Sequence, residues 1–397
     1  MKNAVSFLLL DTERGFIYVS WKQMVGIFYY SKHPENQKET MPEKSWMIYG
    51  ANGYTGRLIA EEALLQGLRP ILAGRNHKKI KSLAQRLNLT WRCFDLKNPE
   101  TISSYLDRIA LLLNCAGPFT ATSVPLAKAC LKTHTDYLDI TGEIEVFEYI
   151  HALNEKAREA GVVLCPGAGF SVIHTDYLAS TLKNYMPDAK YLVLGFDSKG
   201  PMSPGTAKTI IEGFKHGGMI RKNGILSAVR LAYKVKKIDF GSGPKTATTI
   251  SWGDVSTAFY STGIPNIEVY VALPEKAITA MKIMGIFRFI IALEPLQKLL
   301  KKFVDIQLKG PSLQQRKTSR VRLWGEVINS KGDSVRAHLI AANGYDVTVM
   351  GALGIVRKLH ATKSSPGVYT PSQLMGTCYI SKLPGSGPIT LLVNYKH

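Results

Sequence analysis

The sequence predicts an α/β fold, a Rossmann-type doubly wound parallel sheet followed by a second mixed α+β domain. Three observations carry this. Short apolar segments alternate with amphipathic ones from Ser45 to Cys165; the first turn between them has the spacing Gly50-x-x-Gly53-x-x-Gly56; and after Gly169 the alternation gives way to strand-like segments that follow one another directly. Strands alternating with helices build parallel sheets, because a parallel pair needs a long crossover.

The elements follow in order. Trp46-Met47-Ile48-Tyr49 is a short apolar strand, and the glycine turn leads it into a helix with Leu58, Ile59, Ala63 and Leu64 on its inner stripe, ending at Gly67. Further strands are expected at 70–73, 90–94, 110–113, 137–140 and 162–165, with helices at 99–108, 125–132 and 143–160 and a Lys-rich helix after 73. Beyond these, helices are expected at 173–184, 206–214 and 275–303, and a hairpin from 320–327 and 334–340 around Ser330-Lys331-Gly332-Asp333. Segment 371–383 reads as helical.

A chain of 397 residues with 45% hydrophobic and 20% charged residues suits two globular domains. The formal charge of +20 would attract nucleic acid, anionic lipid or acidic cofactors. The basic residues are scattered, however, and no nucleic-acid motif accompanies them. Five cysteines are odd in number and widely spaced, with no Cys-x-x-Cys and no Cys/His cluster, so neither a metal site nor a disulfide framework is expected. A reducing, cytoplasmic location fits. Apolar stretches 5–10 and 24–30 are too short for a spanning helix, and residues 1–44 read as an N-terminal extension outside the core fold. Whether that extension belongs to the natural protein stays open.

The glycine triplet carries the chemistry. The first glycine permits the tight strand-to-helix turn, the second lets backbone N–H groups approach a pyrophosphate, and the third lets helix and strand pack closely. The phosphate then sits on the positive helix end. Gly50, Asn52, Gly53, Tyr54, Thr55 and Gly56 are the candidate phosphate cradle. At the end of the second strand an NAD enzyme usually places a carboxylate. Here stand Gly74, Arg75 and Asn76, with Lys78 and Lys79 behind. A guanidinium grips a 2′-phosphate with parallel hydrogen bonds, so NADP(H) is the expected cofactor. Asp95 is placed to accept from the adenine amino group. Cys115, Ala116, Gly117, Pro118 and Phe119, at the fourth strand's carboxyl end, leave room for the ribose-nicotinamide half.

Gly50-Ala-Asn-Gly-Tyr-Thr-Gly-Arg57, Ala73-Gly-Arg-Asn76, Asn114-Cys-Ala-Gly-Pro-Phe119 and Tyr137-Leu-Asp-Ile-Thr-Gly-Glu143 together resemble the saccharopine-dehydrogenase-like oxidoreductases, and within them the trans-acting enoyl reductase branch. Pro166-Gly-Ala-Gly-Phe170, Gly205-Thr206, Gly310-Pro311 with Arg316, Trp324-Gly-Glu326 and Thr370-Pro371 extend the likeness to the C-terminus. The resemblance implies an NADP-binding domain at 45–170, a substrate and dimerisation domain at 171–350, and a C-terminal segment at 351–397 packing back on the first. It also argues against saccharopine itself as substrate, since no convergent arginine set for a tricarboxylate can be placed. Members of the branch are associated with lipid substrates, which suits the apolar run 283–293.

No secure proton donor emerges. Tyr233-x-x-x-Lys237 has the spacing of the short-chain-dehydrogenase relay but comes too late in the chain, and is read as coincidence. Asp139 and Glu143 flank the end of the fifth strand. His174 and Tyr177, one turn apart, could face the cleft. The expected function is an NADPH-dependent reductase of a hydrophobic, lipid or acyl-linked, enoyl or carbonyl compound. The alternative is a non-catalytic NADP-binding scaffold or membrane-associated protein. A small hydrophobic substrate is the expected partner and nucleic acid is not; peripheral membrane contact and a homodimer stay open.

Overall fold

The computed structural model describes residues 45–394 apart from 171, 199, 215, 216, 309 and 384. The expected extension 1–44 lies outside the described residues. In the first domain the order is β1 (Trp46–Tyr49), α1 (Tyr54–Leu65), β2 (Ile71–Gly74), α2 (His77–Leu87), β3 (Trp91–Cys93), α3 (Pro99–Leu106), β4 (Leu111–Asn114), α4 (Phe119–Thr133), β5 (Asp136–Asp139), α5 (Ile144–His151), α6 (Asn154–Ala160) and β6 (Val163–Cys165). The second follows with α7 (Ile173–Tyr185), β7 (Tyr191–Ser198), α8 (Pro204–Phe214), β8 (Gly218–Lys222), β9 (Ile225–Val229), β10 (Val235–Asp239), β11 (Pro244–Thr249), α9 (Asp254–Thr262) and β12 (Asn266–Ala272). Then come α10 (Glu275–Ile286), α11 (Arg288–Ile291), α12 (Glu294–Gln307), α13 (Leu313–Thr318), β13 (Arg320–Ile328), β14 (Ser334–Ala342), α14 (Gly344–Ala361), β15 (Gly367–Val368), α15 (Pro371–Met375), a 3-10 turn (Thr377–Lys382) and β16 (Thr390–Asn394).

The first sheet has the order β15-β6-β5-β4-β1-β2-β3 with every pair parallel. Its order reverses between β1 and β4, which opens a crevice at the carboxyl ends of those strands. All four residues of β1 and of β4 are buried, as expected of strands covered on both faces. On α1 the buried side is Gly56, Ile59, Ala60 and Ala63; Leu58 and Leu64, assigned to that stripe from the sequence, are only half-buried. Small residues take the inner face because the helix lies close on the strands.

The second sheet is mixed, in the order β10-β11-β12-β7-β13-β14-β16, with β8 and β9 attached through β12. Only its β12–β7 pair is parallel. One face packs on α7 and α9 through Leu178, Leu182, Leu194 and Leu323, and the other carries a smaller cluster around Phe240, Tyr270 and Trp324. The hairpin expected at 320–327 and 334–340 is β13–β14. The C-terminal region divides between the two domains. β15 extends the first sheet and α14 packs on α1, but β16 pairs with β14 in the second sheet, so segment 351–397 does not return to the first domain as a whole.

Before residue 371, three helices differ from their expected bounds by a break or by more than two residues. The helix expected at 125–132 starts at Phe119, with Pro125 inside it. Its first N–H groups are satisfied by Glu143, distant in sequence, so proline preference at a first turn misplaced the start. The expected helix 143–160 breaks after His151. The expected helix 275–303 is three helices, interrupted at Phe287 and again at Leu293, before Pro295 at the start of α12. Among the described residues no helix is long and apolar enough to cross a membrane.

Where α7 and α9 pack, the core holds an acid with no cation beside it among the described residues. Asp254 is fully buried, neither oxygen makes a hydrogen bond of normal geometry among the described residues, and burial, with nearby Asp176 adding to it, pushes its carboxyl well above the usual range despite the opposing pull of Thr175. A carboxyl whose folded pKa is raised binds its proton more tightly when folded, so its contribution is favourable below the unfolded pKa and is lost as pH rises toward the folded one. Asp254→Asn is therefore expected to stabilise the protein by about 1–3 kcal/mol at neutral pH, with the gain vanishing in acid. Urea unfolding at both pH values checks this; a gain that is equal at both would refute it.

Candidate functional site

The crevice is built by three turns. Gly50 adopts φ +82 and donates its N–H to Ala73 O at 2.8 Å. A Cβ there would lie 2.7 Å from Ala116 N, and one on Gly56 would lie 2.5 Å from Gly50 O. These two glycines close-pack β1, α1 and the loop after β4. A Cβ on Gly53 would meet only Gly50 O, at 3.2 Å, and is otherwise in open space. Gly53 is the N-cap of α1, with no side-chain cap and no acid in the first turn. The first N–H groups of α1 therefore face an open crevice, the arrangement that binds phosphate.

The second turn follows β2. Arg75 is exposed and makes no hydrogen bond or ion pair among the described residues. Tyr49 lies close enough to feel its charge, although burial still pushes the phenol up to about 12. Asn76, read as a cofactor ligand, instead caps α2 by accepting from Lys79 N at 3.0 Å. A Cβ on Gly74 would lie 3.0 Å from Asn52 Oδ1 and 3.1 Å from the Ile80 side chain. Asp95 stands exposed after β3 and accepts from Lys97 N at 3.0 Å.

The third turn follows β4. Asn114, fully buried, accepts from Ala116 N at 3.0 Å and donates to Thr122 Oγ1 and Tyr137 Oη. This fixes the Cys115–Phe119 loop with Gly117 and Pro118 exposed. Burial pushes the Cys115 thiol far up, so it is a neutral packing group. The Phe119 ring turns into the first domain's core and does not line the crevice. Its N–H and that of Thr120 donate to Glu143, at 3.0 and 2.7 Å. Burial raises the Glu143 carboxyl, and Glu212 on α8 adds to the rise.

Asp139 is buried and pins the neighbouring loops, accepting from Gly167 N, Thr141 N and Tyr137 Oη at 2.9, 3.0 and 2.8 Å. Its carboxyl is raised to about 6 by burial. His174 and Tyr177 do not face the cleft. Both are buried in α7 beneath the C-terminal segment; His174 Nε2 meets Ser386 Oγ at 2.8 Å and Tyr177 donates to Pro371 O at 3.1 Å. Burial drops the His174 pKa to about 3, leaving a neutral structural imidazole. Lys237 lies in β10, the edge strand of the second sheet, and Tyr233 two residues before it.

The second domain roofs the glycine turn. Tyr54 donates to Pro311 O at 2.6 Å and its ring meets Tyr345 edge-on at 5.0 Å. Tyr345 Oη accepts from Ser203 N at 2.6 Å, and Arg316 pairs with Asp346 beside it. Sequence reasoning missed Tyr345, Ser203 and Glu212, which no motif marks. Further along, Phe170 after β6, Phe196 on β7 and Trp252 just before α9 form an aromatic cluster at the edge of the core, with ring centroids 6.2 and 4.7 Å apart.

An open helix end, a glycine cradle that a Cβ would fill and a free guanidinium at the end of β2 together fit a dinucleotide with a 2′-phosphate. Over residues 46–165 the sequence matches the family described as saccharopine dehydrogenase NADP binding domain. The first domain belongs to that family. The cofactor of this NADP-binding domain is accordingly NADP(H). The chain is 30% identical over 202 residues to a mouse protein named saccharopine dehydrogenase-like oxidoreductase, covering 44% of this chain and 47% of that one. It is 31% identical over 138 residues to the trans-acting enoyl reductase of Mycobacterium bovis (strain BCG / Pasteur 1173P2), covering 33% of each. The chain thus spans about half the length, or less, of these curated relatives. Apo saccharopine dehydrogenase (L-Glu forming) from Saccharomyces cerevisiae shares the fold, with a TM-score of 0.59 at 11% identity over 88% of this chain and all of that one. Around the NADP-binding domain the described residues hold no cluster of side chains suited to a metal ion.

Proposed function

We propose that the protein is an NADP(H)-dependent oxidoreductase that reduces an enoyl or carbonyl group on a hydrophobic, lipid or acyl-linked substrate. The observation that carries this is the aromatic cluster of Phe170, Phe196 and Trp252, in which the half-buried Phe170 stands five residues beyond the carboxyl end of β6. An apolar wall next to a hydride donor selects an apolar substrate. The partial likenesses to an oxidoreductase and to an enoyl reductase support the reaction class.

When bound, the cofactor supplies the hydride, and the chain supplies orientation. The first turn of α1 holds the pyrophosphate, Arg75 the 2′-phosphate and Asp95 the adenine amino group. The Ala116–Pro118 loop, fixed from below by Asn114 and from the side by Glu143, seats the ribose-nicotinamide half. Glu143 accepts from Phe119 N and Thr120 N at the end of this loop, and burial raises its carboxyl, which makes it the candidate to exchange a proton there.

Arg75→Ala is expected to weaken NADPH binding about 10–150-fold and leave NADH binding nearly unchanged, since a charged hydrogen-bond pair to phosphate contributes about 1.5–3 kcal/mol. Calorimetric titration with both cofactors measures it; an equal loss for each would remove Arg75 from the 2′-phosphate site. The function itself is tested by NADPH consumption against enoyl and carbonyl thioesters of increasing chain length. Turnover rising with chain length supports the proposal. Tight NADPH binding without turnover on any of them would favour a non-catalytic scaffold.

A further inference from the structure

We propose that α10, α11 and α12 dock the protein on a membrane surface carrying anionic phospholipids. At the α10–α11 junction, Ile283, Ile286, Phe287, Phe289, Ile290 and Leu293 are between 42% and 69% exposed. On α12, Leu299, Phe303 and Ile306 continue the surface at spacings of four and three, a single helical stripe. Contiguous exposed apolar surface of this kind marks a site of interaction.

This outward orientation is fixed by contacts on the inner side. Gln297 and Val304 of α12 are buried, Gln297 donates to Ile211 O at 3.2 Å and to Ile291 O at 2.8 Å, and Lys301 pairs with Glu212. Turning the stripe inward would break all three anchors and bury the lysines.

Charge decides the occupant. Between residues 275 and 307 the sequence has six Lys and Arg against three Asp and Glu. Lys282, Arg288 and Lys302 are exposed and have no acidic partner among the described residues. Beside the apolar surface, Arg230 and Arg288 line one shallow cavity of about 370 Å³ with Leu231 and Gly285. The Arg288 guanidinium lies over Gly217, where a side chain would stand 2.9 Å from its Nη1. Two guanidiniums at the rim of an apolar surface match a phosphodiester headgroup, with acyl chains beneath the phenylalanines. A second copy of this chain is a poorer occupant, because Arg288 at the patch centre would face its own like charge across a twofold contact.

The docking face also lies one helix away from the crevice. α12 rests on α8, and Glu212 of α8 is close enough to raise the Glu143 carboxyl. A lipid-derived substrate would then enter from the membrane side. Docking itself does not depend on the proposed reaction.

The test is co-sedimentation of the full chain with phosphatidylcholine vesicles and with phosphatidylcholine–phosphatidylglycerol vesicles. Wild type is expected to bind the mixed vesicles at least about tenfold more strongly. Phe287→Glu with Phe289→Glu is expected to abolish binding to both, and Arg230→Glu with Arg288→Glu to reduce mixed-vesicle binding to the phosphatidylcholine level. NADPH titration of each variant verifies folding at a site these substitutions do not touch. The proposal is overturned if wild type ignores both vesicle types, or if neither double variant changes binding. It is equally overturned if light scattering shows a dimer that the phenylalanine variant makes monomeric, which would assign the face to a second copy.

Discussion

Gly53→Ala is expected to lower NADPH affinity about a hundredfold while costing only about 1 kcal/mol of stability. The backbone of Gly53 is extended, φ −71 and ψ 167, a conformation alanine adopts freely. Its new Cβ would meet the protein only at Gly50 O, 3.2 Å away, and would otherwise fill space beside the open helix end. That is the space a pyrophosphate needs, so the loss falls on binding. Gly50→Ala is the contrasting case. Its Cβ would sit 2.7 Å from Ala116 N, against backbone that cannot move aside, at a φ of +82 that side chains resist. There the fold itself is expected to lose about 3 kcal/mol or more, with cofactor binding lost as a consequence. Calorimetric titration with NADPH and urea unfolding of both variants separate the two effects. If Gly53→Ala binds NADPH as wild type does, the phosphate does not lie on this turn, and the cofactor geometry has to be rebuilt.

The contrast also shows what a local pattern discloses. The glycine turn and Arg75 were legible because their meaning depends on a few adjacent residues and on the strand–turn–helix context around them. Asp139 and Glu143 were legible as positions, but the role of Glu143 was not. It caps a helix that starts twenty-four residues earlier, and the same missing information misplaced that helix by six residues. His174 and Tyr177 were misread for the opposite reason. A helix start near a glycine loop suggests a cleft, whereas burial under residues 371 and 386 is decided some two hundred positions away. The roof over the crevice was invisible on the same grounds, since Tyr54 meets Pro311 and Ser203 meets Tyr345 only in the folded chain. Periodicity reports which face of a segment is apolar and leaves open what covers it. The run 275–303 is the clearest instance: its hydropathy was plain, but its break into three helices with an uncovered outer face was not.

Arg221→Ala is expected to destabilise the protein by about 3–5 kcal/mol, among the largest effects of any single charge. Arg221 on β8 belongs to the second domain and its side chain is only 4% exposed. Its guanidinium donates to Glu148 on α5, in the NADP-binding domain, at 2.5 Å, to Val255 O at 2.9 Å and to Gly224 O at 2.8 Å, and lies 4.3 Å from the centre of the Phe259 ring. Glu148 in turn accepts from Ser256 Oγ and Tyr260 Oη at 2.6 and 3.0 Å. Each guanidinium nitrogen and each carboxylate oxygen in the cluster has a partner, which is the condition under which a largely buried pair offsets its desolvation. Removing the arginine leaves Glu148 without its counter-ion and strips two carbonyls of their donors. Glu148→Gln should cost a comparable amount, about 2–4 kcal/mol, because an amide oxygen can still accept from Ser256 and Tyr260 but the more deeply buried Arg221 loses its counter-ion. The combination Arg221→Met with Glu148→Gln should recover part of the loss, since no charge is then left unpaired. Unfolding free energies of the three variants form the test. A cost below about 1 kcal/mol for Arg221→Ala would mean that the two domains are joined by apolar packing alone, and that the ion pair adds little to the seam.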